Sequence, residues 1–473
     1  MDPLARCDYD GPVENAEPER AAAPTPSDVS VATPRPERPY ELPLYATGIV
    51  AAALLAAGFA IAFRAALAFV WLHTAGTVDV VAALGSAPWW LRVSLPGVGG
   101  LVAGTMTLLV AKAAGGHGVG EVMEAVVLGQ RRLSVRVTLV KSLASWLAIA
   151  SGGSLGREGP LIQFGGASGS FVGELLRLSP QHVRTLIAAG TAAGFASAYN
   201  TPIAAVLFVL EIVTGVAALS AVVPALVATA IATTLTRAVV GSGPIYGQRA
   251  FASRTVGELL LFAGLGIVVA LGTLGFRKLL AFGERLFRRE RLPQPWRAAL
   301  GGTVAGAIIA VLPEVAGNGF EPLNAILDGR VVVGVVALLV IGKSVATTAS
   351  VSSGSPGGVF TPMLLLGGAL GFLYGSGLEQ MGVIALGGAG GYALVAMSAA
   401  IAATTHAPVM AIVMVFELSG DYAIVLPLVL ATAVATSLSR RLRRSSIYAD
   451  ELRARGVEWE LTLEGRKIRA ADR

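Results

Sequence analysis

Apolar segments follow one another almost without pause from Leu42 to Leu438, and many of them, such as 137–152, 161–176, 185–199 and 203–218, are too short to cross a bilayer. A spanning helix needs about 20 apolar residues. Gly and Pro cut between the segments, and backbone polar groups at membrane depth must be satisfied, so broken segments are tolerable only inside protein or beside a cavity. Half-helices meeting near the bilayer midplane are therefore expected, a pattern that belongs to transporters and channels. Composition agrees: charged residues are 14% of the 473 positions and hydrophobic ones 54%, against roughly 25% charged in an ordinary soluble domain. Disordered, collagenous and disulfide-stapled proteins are excluded, and a soluble enzyme is disfavoured. One cysteine, Cys7, provides neither a disulfide framework nor a cysteine metal site.

The ends differ from the middle. Residues 1–41 are rich in Pro, Ala, Asp and Glu without apolar period and read as a solvated cytoplasmic tail, with no signal-peptide pattern. The first long run, Leu42 to His73, exceeds a bilayer span and should tilt. Arg64 interrupts it, which places part of one face under protein or at the interface. No Lys or Arg occurs from Thr74 to Trp90, so that stretch belongs outside. The basic clusters Arg131, Arg132, Arg136, then Arg277 to Arg291, then Arg440 to Arg444 belong on the cytoplasmic side. The net charge of +6 thus reports orientation in an inner membrane, with both termini cytoplasmic, rather than nucleic-acid binding. The segment 449–473 is expected to be a short cytoplasmic tail without a regulatory or nucleotide-binding domain.

The chain also repeats itself. Gly116-His117-Gly118 recurs as Gly317-Asn318-Gly319, and Gly153-Ser154-Leu155-Gly156 recurs as Gly354-Ser355-Pro356-Gly357 at the same offset. Pro160 pairs with Pro362, and the stretch from Asn200-Thr201-Pro202 to Glu211 recurs from His406-Ala407-Pro408 to Glu417. Two membrane repeats follow, 42–245 and 246–448. A binding site belongs at the repeat interface, built from the ends of discontinuous helices. Gly153 to Pro160 and Gly354 to Pro362 each precede an apolar run. Glycines there admit a ligand close to the main chain, and a helix N-terminus presents free N–H groups that favour an anion. Glu158 lies in one of these turns. A carboxylate at membrane depth is expensive; at a helix N-terminus it can occupy the anion site itself when ionised and leave when protonated. A simple helix cap is the alternative role.

These residues resemble the CLC family of chloride channels and chloride/proton antiporters. Gly116-His117-Gly118-Val119-Gly120-Glu121 is similar to the family's first anion-site motif, Gly156-Arg157-Glu158-Gly159-Pro160 matches the second, and Gly358-Val359-Phe360-Thr361-Pro362 the third. Tyr448 stands where the family has a tyrosine after its last helix, and Lys141 matches a further family position. The resemblance runs from about residue 42 to 456. It implies an all-α polytopic fold of about eighteen helices in two inverted-topology halves, a homodimer with one pore per subunit, and chloride and protons as the transported ions, with no cofactor and no metal. Glu158 would be the gating glutamate. The N–H groups of Val359 and Phe360 with the Tyr448 hydroxyl would hold a central anion. Those around Arg157 to Gly159 would hold an outer one, with His117 and Gly118 contributing from the first motif.

Three departures bear on function. His117 replaces the usual serine; a neutral imidazole still donates one N–H to an anion. Gly120 replaces the usual proline. Many antiporters of the family carry two consecutive glutamates after the helix that starts here at Pro202, the second relaying protons; this chain has Glu211 then Ile212. Glu211 could substitute, or water could enter directly with Glu211 paired at the interface as a helix-end residue; the alternative is a passive chloride channel without proton coupling. Glu417, its repeat mate, reads as structural. Other classes fare worse. Gly342-Lys343-Ser344 resembles the end of a phosphate loop, but Ala337 stands where its first glycine belongs. Gly166-Ala167-Ser168-Gly169 fits an intramembrane serine nucleophile, but His182 and His406 are poor candidate bases, and helix packing explains the small residues better.

Overall fold

The computed structural model describes residues 41–110, 118–128, 132–215, 219–243, 245–247, 257–289, 292–383, 388–454, 457–462 and 465–470. Of the N-terminal tail expected over 1–41, residues 1–40 lie outside the described residues, and Glu41 is already the first residue of a helix. The first half runs α1 (Glu41–Ala75), α2 (Val80–Ser86), α3 (Trp89–Val110), α4 (Val119–Leu128), α5 (Val135–Ala150), α6 (Glu158–Leu175), α7 (Pro180–Tyr199), α8 (Pro202–Phe208) with a π-helical turn Val209–Thr214, and α9 (Leu219–Val240). The second runs α10 (Glu258–Arg289), α11 (Gln294–Val311), α12 (Phe320–Leu327), α13 (Val333–Ser352), α14 (Phe360–Gln380), α15 (Ala389–Thr405), α16 (Pro408–Ser419) and α17 (Val425–Leu442). α18 (Ile447–Ala454) follows. A two-stranded antiparallel hairpin then pairs Val457–Thr462 with Gly465–Ala470, a small addition to the helical fold that the sequence pattern did not announce. Both halves belong to one unit, Pro43–Arg473.

Punctuation in the sequence sets these boundaries. Pro180, Pro202 and Pro408 each occupy a first helical position, where a missing N–H costs nothing. Asn200 and His406 close α7 and α15 in the left-handed conformation, φ 57° and 61°. These two residues were matched in the repeat, and the chain turns identically at both. Among the described residues, seven helical segments are long and apolar enough to cross a membrane. α1, at 35 residues, measures about 50 Å against a hydrocarbon core of roughly 30 Å, so it must tilt or protrude. α2, α4, α8, α12 and α18, of ten residues or fewer, cannot span.

Small residues let the helices touch through their main chains. At the α6–α7 crossing a Cβ on Gly165 would sit 2.1 Å from the Gly190 carbonyl oxygen, and one on Gly190 would sit 2.2 Å from that of Gly165. Lipid gives no hydrophobic drive between helices, so this close packing does the holding. Reciprocity also marks the two halves. Glu417 accepts from the N–H groups of Ile203 and Ala204 (3.0 and 2.8 Å), and Glu211 accepts from those of Val409 and Met410 (3.3 and 2.7 Å). Each half therefore caps the other's short Pro-initiated helix, the contact pattern a twofold pseudo-axis produces.

Candidate functional site

The two Gly-rich turns meet. The Gly156 N–H donates to the Gly358 carbonyl at 2.7 Å and the Gly358 N–H donates back at 2.9 Å, a single antiparallel bridge between the halves. α6 and α14 begin within two residues of it, so their N-termini, with unpaired N–H groups and positive dipole ends, converge on one spot.

Glu158 fills that spot. Its side chain is 1% exposed. Oε1 accepts from the Phe360 main-chain N–H at 2.7 Å, and Oε2 accepts from the Thr361 hydroxyl at 2.9 Å. The Tyr199 hydroxyl lies 3.5 Å from Oε2 and 2.9 Å from Thr361 Oγ1. No Lys or Arg pairs with this carboxylate among the described residues. The glycines of the bridge make room for it: a Cβ on Gly156 would meet both Glu158 oxygens at 2.2 and 2.3 Å, and one on Gly358 would meet Oε1 at 2.0 Å. A negative group at helix N-termini, held by neutral donors and not by a counter-charge, is what such a site offers any small anion. Here the carboxylate oxygens take up those donors.

One cavity reaches this site, and a second lies beside it. One cavity of about 320 Å³ is lined by Glu158, Gly159, Val359 and Tyr448 and extends past Arg277 and Arg443. Tyr448 is buried on α18, its ring edge-on to Phe208 at 6.5 Å. A tight network fixes that helix: Arg277 donates to the Ser445 carbonyl (2.6 Å) and to Asp450 (2.8 Å), which also receives Arg443 (2.8 Å). A second cavity, about 470 Å³, contains the Arg157 side chain.

The structure thus brings Glu158, Gly159, Val359, Phe360 and Tyr448 to one place, with Arg157 at its other side. Gly118 is buried against α6, where a Cβ would lie 3.0 Å from the Gly159 carbonyl oxygen. His117 lies outside the described residues. Glu211 is not among the residues lining either cavity; it caps α16. Below Gly118, the first motif's Glu121 is buried and takes donors from Lys141 and Gln163, so Lys141 serves as its counter-ion. Two site residues went unread in the sequence. Thr361 sits inside a motif already singled out, so its hydroxyl was available to notice. Tyr199 ends an apolar run and carries no local signal.

A membrane-embedded body of two like halves, with an anion-type site where two helix N-termini meet, defines a polytopic transport protein. Residues 99–440 match the family model described as voltage gated chloride channel, and the chain belongs to that family. A protein provisionally called a ClcB-like chloride channel, from Ralstonia nicotianae, is 40% identical over 401 residues, 83% of this chain and 92% of its own. The voltage-gated ClC-type chloride channel ClcB of Citrobacter koseri is 35% identical, covering 84% and 95%. Among solved structures, a slow cyanobacterial chloride/proton antiporter superposes with TM-score 0.79 at 23% identity, over 87% of this chain and 98% of that one. A CLC-type fluoride/proton antiporter gives 0.73 at 22% identity, over 88% and 99%. At these identities the structures speak for the fold.

Proposed function

We propose that this chain carries small anions, chloride foremost, across a bacterial inner membrane in exchange for protons, as a homodimer with one pathway per subunit and both termini cytoplasmic. The observation that carries the proposal is the Glu158 carboxylate bound to the Phe360 N–H and the Thr361 hydroxyl. An ionised carboxylate accepts hydrogen bonds as a halide does and competes for the same donors. Once protonated it loses the charge that the helix ends favour, swings out, and an anion takes its place. Binding through neutral donors is strong enough to strip part of the hydration shell and weak enough to release the ion. Protons reach Glu158 from one side and leave to the other while anions pass the opposite way. Val359 N–H and the Tyr448 hydroxyl complete the inner anion position, and the N–H groups from Arg157 to Gly159 with Gly118 and His117 flank it. Glu211 is the candidate inner proton acceptor, since Ile212 cannot ionise.

The relatives named as chloride channels and the fold neighbours named as proton antiporters support this reading. Purified protein in vesicles with an outward chloride gradient and no voltage source should move protons uphill. Chloride flux with no proton movement selects a passive channel; no anion flux at all overturns the proposal.

A further inference from the structure

Arg64 takes no part in the chemistry above, yet it stands within the apolar helix α1, where a charge is costly. Its surroundings explain its presence. Ile61, Arg64, Ala65, Ala68 and Trp71 follow the helical repeat and form one face of α1, and that face lines the outer cavity of about 470 Å³. Arg157, next to Glu158 in sequence, lines the same cavity from the cap position before α6. Both guanidinium groups are half-buried, and neither side chain makes a hydrogen bond or an ion pair with a described residue. The floor of the cavity is the loop Gly317-Asn318 and the start of α12, held from beneath by the buried Lys343, which donates to the Val315 and Gly317 carbonyls at 2.9 and 2.7 Å. Glu321 lines the cavity too, and its Oε2 is buried without a partner. Glu321 offsets one of the two positive charges without hydrogen-bonding either guanidinium, so two cations, one carboxylate and a wall of apolar side chains leave a net positive basin with up to ten unused guanidinium N–H donors.

We propose that this cavity is an outer capture station for a small inorganic anion, held between Arg64 and Arg157 and handed on to the Glu158 position. The inference deepens the anion-transport reading and rests on it for the hand-over, though not for the binding. Size sets the character of the station. A volume of about 470 Å³ accommodates several waters at roughly 30 Å³ each, so the ion stays partly hydrated and the affinity is low. Full charges can be tolerated here for that reason, whereas at the dry Glu158 position they would hold the ion too long. The station works by raising local concentration at the mouth, an effect that falls with ionic strength.

Two measurements test it. Crystals of the wild-type protein grown in bromide should give an anomalous peak between the two guanidinium groups, and Arg64→Gln crystals should lose it, with the Glu158 region unchanged. In vesicles with the protein in one orientation, Arg64→Gln should raise the half-saturating outer chloride concentration by about threefold to tenfold, flatten its salt dependence, and leave the inner half-saturation unaltered. Arg64→Lys should recover most of the loss. Absence of a bromide peak in the wild type, or an equal change on both sides of the membrane, overturns the proposal. A wild-type peak in protein that moves no anion would keep the station and discard the transport reading.

Discussion

Gly358→Ala isolates the role of the Glu158 carboxylate without touching the carboxylate itself. Gly358 is not in the left-handed region, so alanine costs little main-chain strain. The new methyl, however, would stand 2.0 Å from Glu158 Oε1 and 2.6 Å from its Cδ. Ordinary contact begins near 3.4 Å, so the carboxyl must retreat by about 1.4 Å. That retreat breaks the 2.7 Å bond from Phe360 and strains the 2.9 Å bond from Thr361. Hydrogen bonds to a charged group contribute about 1.5–3 kcal/mol each, so the seated carboxylate loses about 1.5–3 kcal/mol from the broken bond, and up to about twice that if the second bond goes too, before water returns to it. If hydration offsets all but about 1.4 kcal/mol, the seated population still drops tenfold. The Phe360 N–H is then free for an anion at neutral pH. In vesicles, anion flux should persist at neutral pH, the protons moved per anion should fall, and the rise of flux on acidification should flatten. Wild-type proton coupling with an unchanged acid response would refute the claim that this carboxylate occupies the anion position.

Other perturbations follow from the same contacts. Glu211→Gln keeps a carbonyl for the Met410 N–H, gives up the weaker bond from Val409, and cannot take a proton; anion flux should hold while proton counterflow drops by about tenfold or more, and unchanged proton flux would remove Glu211 from the proton route. Gly165→Ala forces a methyl against the Gly190 carbonyl; overpacking of this kind costs roughly 1–3 kcal/mol, visible as a lower melting temperature in detergent, and an unchanged melt would contradict the tight α6–α7 crossing.

The sequence carried the helices and the repeat because both are written in local patterns. Proline and glycine punctuation placed the starts of α8 and α16 and the turns before α6 and α14. The repeat matched Asn200 with His406, and the structure adds that both are left-handed helix ends. Contacts between the halves were not legible. Nothing local says that Gly156 and Gly358 hydrogen-bond each other, or that Glu211 and Glu417 cap across the repeat; both facts depend on a pseudo-axis that exists only in three dimensions. Glu158 was legible as a costly buried carboxylate at a Gly-rich helix start, either a helix cap or an anion competitor. Its partners were half legible: the Phe360 N–H follows from the motif, Thr361 was present but overlooked, and Tyr199 arrives from a helix remote in sequence. Arg64 drew notice as a charge in an apolar run, but only the cavity beside it gave it a purpose.

Chloride and proton movements recorded together on vesicles bearing Glu158→Ala probe the central idea most directly. With the competing carboxylate removed and its main-chain donors intact, chloride should continue to flow, indifferent to pH, and proton movement should cease. Loss of chloride flux in a well-folded variant, or uphill proton transport that survives the substitution, would contradict the account.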